Sequence, residues 1–131
     1  MPTNAIAFST ELGKLAAERP AADLVKLHRK LTLELSRRVV FRTPVDTGFA
    51  RSNWQVGVGV TNESLLAAGR SYLDIQADAI NVLASLPPFS VTYVFNNAPY
   101  IGFLEEGSSA QAPQGMLAVS VNEVEVLGAV L

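Results

Sequence analysis

After Pro20 the chain runs to Arg42 without another Pro or any Gly, and Leu24, Leu27, Leu31, Leu35 and Val39 return every three or four positions. That spacing predicts one long amphipathic helix with its apolar stripe turned to a core. Pro20 suits a first helical turn. Arg37, Arg38 and Arg42 crowd the last turns, where positive charge complements the carbonyl end of the helix. Thr43-Pro44 stops the helix, because a residue before proline is pushed out of the helical region. At about 100° per residue, Leu33 and Val40 fall opposite the main stripe as a second, smaller apolar patch. A helix with two apolar faces has two neighbours: a loop, the N-terminal arm, or another subunit. His28 lies in the middle of the main stripe, as a packed and hydrogen-bonded core residue would.

Two stretches alternate with a period of two. Trp54, Val56, Val58 and Val60 are separated by Gln55, Gly57 and Gly59; Phe89, Val91, Tyr93 and Phe95 by Ser90, Thr92 and Val94. Both predict half-buried strands. Gly57 and Gly59, inside a strand pattern, mark a bend or a close backbone approach. Between the strands, Ser71 and Asp74 form a capping box with Asp in place of Glu, opening a helix that Leu86-Pro87-Pro88 ends. That helix has a narrow polar arc of Asp74, Asp78, Asn81 and Ser85, so it is expected to be covered on more than one side. Tyr100, Phe103 and Leu104 share a face of a short helix closed by Gly107. From Met116 the pattern fits helix and strand alike, and we read a helix giving way to an extended tail over 124–131. Residues 1–18 carry weak signals and read as an arm or a short strand. The whole reads as one compact domain of a long helix, two half-buried strands and shorter helices. Trp54, Tyr93, Phe95, Tyr100 and Leu104 are its expected core.

Composition narrows the chemistry. The 131 residues are 49% apolar and 17% charged, which suits a single compact core. With no cysteine there is no disulfide framework, thiolate metal site or cysteine nucleophile, and one histidine excludes multi-histidine metal chemistry. No apolar run of membrane-spanning length and no secretory leader is visible, so a soluble, cytosolic chain without a membrane partner is expected.

The net charge of −2 hides a division. Residues 1–70 carry all ten basic side chains against six acids, a difference of +4, while residues 71–131 carry six acids and no base, −6. Such a molecule can present a basic face and an acidic face to copies of itself.

No constellation has the form of an active site. Glu105 and Glu106 are adjacent, and neighbours on a helix point in different directions. Ser52, Ser108 and Ser109 lack a nucleophile elbow, and the glycines match neither a P-loop nor a dinucleotide fingerprint. No catalytic, metal or cofactor-binding residue is expected. The basic helix over 24–42 keeps a nucleic-acid-binding or regulatory module as the alternative, against which stand the acidic overall charge and the scatter of bases around the helix. A small hydrolase using Glu105 is a third reading.

The turns are the most distinctive parts. Thr43-Pro44-Val45-Asp46-Thr47-Gly48 leads from helix to strand through Ala50, Arg51 and Trp54; here Pro44 ends the helix, Asp46 can accept backbone N–H groups, and Gly48 permits positive φ. Asn96-Asn97-Ala98-Pro99-Tyr100 leaves the second strand. Leu104-Glu105-Glu106-Gly107-Ser108 closes the short helix, and Ala112-Pro113-Gln114-Gly115-Met116 leads into the last element. Gly48 and Gly107 are expected to resist β-branched replacements.

In these motifs and their order, over about residues 20–125, the sequence resembles the tail-completion, or neck, proteins of long-tailed bacteriophages, the family that includes minor tail protein Z-like chains. The stretch between the two strands is longer here than in compact members. The resemblance implies a single α+β domain over 1–131, a long N-terminal helix packed on a small antiparallel β-sheet with additional shorter helices, and a structural virion protein, not an enzyme: a ring, commonly hexameric, at the head-proximal end of the tail, completing the tail and joining it to the head. Its partners would be copies of itself, the tail terminator or tail tube protein, and the head connector or head-completion protein, with genome DNA passing through unbound. Joined to the charge division, this puts Arg37, Arg38, Arg42, Arg51, Asp74, Asp78, Glu105 and Glu106 at contacts between copies or along the channel, where acids would repel DNA phosphates.

Overall fold

The computed structural model describes residues 6–7, 20–45, 48–107 and 109–130. In chain order these form β1 (Ile6–Ala7), α1 (Ala21–Arg42), α2 (Phe49–Ser52), β2 (Trp54–Val58), α3 (Tyr72–Leu83), β3 (Thr92–Asn96), α4 (Ile101–Glu105) and α5 (Leu117–Val130). The sheet is antiparallel in the order β1-β3-β2, with Ile6 opposite Val94 and Val56 opposite the same Val94 from the other side. This is the α+β architecture expected from the resemblance, built from the long helix and the strands that the patterning predicts. Of the arm expected over 1–18, Ile6–Ala7 is a strand; its other residues lie outside the described ones, as do Asp46 and Ser108.

α1 organises the core. Its stripe Leu24, Leu27, Leu31, Leu35 and Val39 is buried against the sheet and the other helices. Three polar residues are buried with it and each has a partner: His28 Nε2 lies 3.0 Å from Thr92 Oγ1, Thr32 Oγ1 lies 2.9 Å from the same oxygen, and the Thr32 hydroxyl also reaches the His28 carbonyl. A satisfied polar network at a helix-sheet seam fixes their register, because sliding either element strands a buried group. The second patch of α1 is covered within the chain. Val40 is fully buried, α3 packs on one flank of α1 and α5 on the other, and Arg29 Nε donates to the Leu83 carbonyl at 3.0 Å.

Four expectations are corrected. The second strand begins at Thr92, and its core-facing set is Thr92, Val94 and Asn96, not Phe89, Val91 and Tyr93. Phe89 sits at positive φ in the Pro87-Pro88 turn and is exposed. Phe95 is buried on the opposite face, its ring beside Gly57, where a Cβ would meet both the ring and the Val60 carbonyl. α3 has its capping box complete, with Asp74 N–H donating to Ser71 Oγ at 3.0 Å and Ser71 N–H to Asp74 Oδ2 at 3.2 Å. Yet within α3 only Ile75, Ala79 and Leu83 are buried, so the described residues cover α3 on one side alone. In α4, Ile101 is buried and Leu104 packs on the core, whereas Tyr100 and Phe103 are exposed. Lastly, α5 stays helical to Val130, with no extended tail. Leu117, Ser120 and Val124 are buried at helical spacing, and Gly128 lets the helix lie close on Leu31; packing on α1 overrides the strand propensity of the valines.

Candidate interaction surface

The turn motifs, far apart in sequence, converge. Thr43 ends α1 by donating its hydroxyl to the Val39 carbonyl at 2.6 Å, and the same oxygen accepts the indole N–H of Trp54 at 2.6 Å. Pro44 is half-buried beside it. Gly48, at φ +79°, starts α2, whose Ser52 N–H returns to the Gly48 carbonyl at 2.9 Å. Asn96 Nδ2 donates to the Ala50 carbonyl at 2.7 Å while its Oδ1 accepts from Ala98 N–H at 2.9 Å. Asn97 ties the outside by donating to the carbonyls of Asn62 and Ser64, and Pro99 follows, exposed.

The third and fourth motifs interlock. Glu105 Oε1 accepts from the N–H groups of Met116 at 2.9 Å and Leu117 at 2.8 Å, and Oε2 from Ala118 at 3.0 Å. Its charge thus sits on the otherwise orphaned amides that open α5. Gly107, at φ +90°, leaves no room for a Cβ against the carbonyl of exposed Pro113, and Gly115, at φ +78°, none against the carbonyl of Glu105. Gln111 closes the circuit by accepting Val45 N–H at 3.0 Å. One corner results, joined across all the motifs, and on it Val45, Tyr100 and Phe103 present exposed apolar side chains.

The charged candidates do not form one site. Arg42 grips Glu123 with both Nη atoms, Arg38 reaches Glu123 at 3.1 Å and Glu34 at 3.3 Å, and Arg37 reaches Glu34 at 3.1 Å while lying over the Phe41 ring. The basic end of α1 is thereby ion-paired within the chain. Asp74 belongs to the capping box, and Asp78 pairs with Arg70. Arg51 is half-buried, its Nε without a hydrogen bond among the described residues. Glu106 is exposed and makes no side-chain bond among the described residues. The sequence could not locate these pairings, since Arg42 and Glu123 are 81 positions apart.

The hydrogen bond from Arg42, aided by Arg38 and opposed by desolvation, holds the Glu123 carboxyl down to about 2 from an ordinary 4.5. Burial pushes Glu34 upward, but the hydrogen bonds and charges of Arg37 and Arg38 outweigh it and the net direction is downward. A carboxyl depressed in the folded state stabilises fully above its unfolded value, and that contribution disappears as pH falls through the folded one. The Glu123 contribution is therefore present above pH 4.5 and is lost toward pH 2. In thermal melts across pH, Glu123→Gln is expected to lie below the wild type at neutral pH and to converge with it at the acid end; parallel curves would show that Glu123 carries no such linkage.

One concavity, of about 360 Å³, opens between β2, the following loop and α3, lined by Trp54, Gln55, Asn62, Leu66, Arg70 and Asp78. Ser36 also lines it, and the Asp78 carboxylate there is paired with Arg70. His28, buried and bonded to Thr92, is no candidate either. Among the described residues there is no cluster of three metal-ligating side chains and no helix long and apolar enough to cross a membrane. No family model matches the chain, and no curated protein and no solved structure matches it.

Proposed function

We propose that this chain is a structural virion protein of the phage neck, forming a ring at the head-proximal end of the tail and joining tail to head connector. The observation that carries the reading is the convergence of the motifs behind the resemblance. Thr43 to Trp54, Asn96 to Tyr100, Leu104 to Gly107 and Ala112 to Met116 build a single corner by direct bonds. Residues spent on holding a corner rigid, with apolar side chains left on its outside, suit a protein that works by geometry. The neck, and the host cytoplasm during assembly, are where such a protein acts; its partners are its own copies, the tail terminator or tube protein and the head connector, with DNA passing unbound.

The alternative readings have less to stand on. A nucleic-acid module on 24–42 would need a continuous run of free cations, but Arg37 is paired with Glu34, Arg38 and Arg42 with Glu123, and Arg29 is committed to the Leu83 carbonyl, which leaves Lys26 and Lys30. A hydrolase based on Glu105 would need a carboxylate that is not already accepting three backbone N–H groups.

The test is the mass of the purified protein by light scattering, electron microscopy of any large species, and complementation of tails that lack it. A closed ring of defined copy number that restores head joining is the expected result. Failure to join tails, together with DNA binding that weakens steeply with salt, would transfer the function to the basic helix.

A further inference from the structure

We propose that the cavity between β2 and α3 is a binding site for a small neutral molecule rich in hydroxyl groups, of the size of one or two sugar rings. Its volume of about 360 Å³ falls at the lower end of small-ligand pockets. The α1 wall of the cavity carries Ser36, which is 2% exposed and makes no side-chain hydrogen bond among the described residues. A buried hydroxyl without a partner is destabilising, and a ligand in the cavity would complete it.

The register of the sheet supplies two further groups. Gly59 N–H donates to the Val91 carbonyl at 2.7 Å, and this contact continues the pairing of Gly57 with Tyr93 and of Gln55 with Phe95. Bonded and unbonded pairs alternate along an antiparallel ladder, so the N–H and C=O of Val56 point away from β3. On that side β2 is the edge of the sheet. The cavity is lined by Trp54, Gln55 and Val56 of β2 and by no residue of β3, so it lies off this free edge. Neither backbone group of Val56 has a partner among the described residues. Asn81, exposed at the mouth, adds a carboxamide that makes no hydrogen bond among the described residues.

The groups left open are uncharged and mix donors with acceptors. The two charges of the lining satisfy each other: Arg70 pairs with Asp78, and it also donates to the Ser52 carbonyl at 2.9 Å. An anion would have to draw Arg70 from Asp78, and a cation Asp78 from Arg70. A wholly apolar ligand suits the walls of Trp54, Leu66 and Ile75, but it strands the Ser36 hydroxyl and the Val56 edge. A hydroxyl both donates and accepts. A molecule with several of them therefore answers Ser36, Val56 and Asn81 together, while its C–H faces lie on the apolar walls. The inference does not rest on the neck reading, and the motif corner takes no part in it.

Titration of the full chain with methyl α-glucoside, methyl α-galactoside and maltose tests it. Trp54, the only tryptophan, borders the cavity and reports occupancy by fluorescence, and amide shifts in nuclear magnetic resonance locate it. At least one of the sugars is expected to saturate with a Kd on the order of millimolar, with the Val56 amide among the shifted signals. Gluconate, glucosamine and cyclohexanol add a negative charge, add a positive charge, or lose all but one hydroxyl, and each should bind about tenfold more weakly or worse. Ser36→Ala removes a hydroxyl with no partner among the described residues, so it should weaken the best sugar about tenfold without lowering the melting temperature. Asn81→Ala, at an exposed position, should weaken it severalfold and leave the fold intact by circular dichroism. No saturation by any of the sugars, equal binding of gluconate, glucosamine or cyclohexanol, or an affinity unchanged in Ser36→Ala would each overturn the proposal. A chain that joins tails yet saturates with no sugar refutes the site and leaves the neck reading standing. Saturation by a chain that fails to join tails supports the site and counts against the neck reading alone.

Discussion

Trp54→Ala is expected to destabilise the domain by about 3–5 kcal/mol, the usual cost of removing a buried indole. Trp54 is 2% exposed and does two things from one position. The ring fills the core beneath the long helix, and its N–H is the donor that fixes the Thr43 hydroxyl, which in turn closes the carbonyl end of that helix at Val39. Alanine removes the volume and the donor together. Against a typical total of about 5–15 kcal/mol, the loss takes a large part of the stability and lowers the melting temperature by roughly 12–20 °C. Trp54→Phe, which keeps most of the volume and loses the hydrogen bond, should cost about 1–2 kcal/mol. Since Trp54 is the only tryptophan, the unfolding curves must be read by far-ultraviolet circular dichroism. Equal costs for the two variants would mean that the indole N–H, and not the packing, dominates.

What could be read along the chain was what neighbouring residues decide among themselves. The leucine stripe of α1, its stop at Thr43-Pro44, the Ser71-Asp74 capping box and the positive φ of Gly48 and Gly107 all depend on residues within a turn or two, and all stand in the structure. The failures occur where the deciding partner is distant. Thr92 and Asn96 are buried in preference to Phe89 and Tyr93 because their polar atoms find His28, Thr32 and the Ala50 carbonyl, between 46 and 64 positions away. A hydrophobicity pattern places polar residues outside unless it can see those partners. The last helix has the same explanation, since its valines favour a strand until α1 offers them a face. The candidate site was legible as separate turns in a fixed order, each with its own chemistry. Their union in one corner was not, because each linking bond spans a stretch of chain that no local rule covers.

Glu105 shows how much the distinction matters, since the sequence places it beside Glu106 as one of a pair of acids on a channel or contact. The two carboxylates have different tasks. Glu105 is half-buried and accepts the three N–H groups that begin the last helix, while Glu106 points to solvent. Glu105→Ala leaves those donors without an acceptor at the positive end of a helix dipole, and a loss of about 2–4 kcal/mol is expected. Glu105→Gln keeps one acceptor oxygen and loses the charge, so its cost should fall between that figure and zero. Glu106→Gln should stay within about 0.5 kcal/mol of wild type, as surface changes do. Hydrogen exchange at Met116, Leu117 and Ala118 reads the cap directly: protection should drop in both Glu105 variants and remain in Glu106→Gln. If those amides stay protected without the Glu105 carboxylate, the start of the helix is held by packing around Met116 alone, and Glu105 returns to the set of acids free to face a partner.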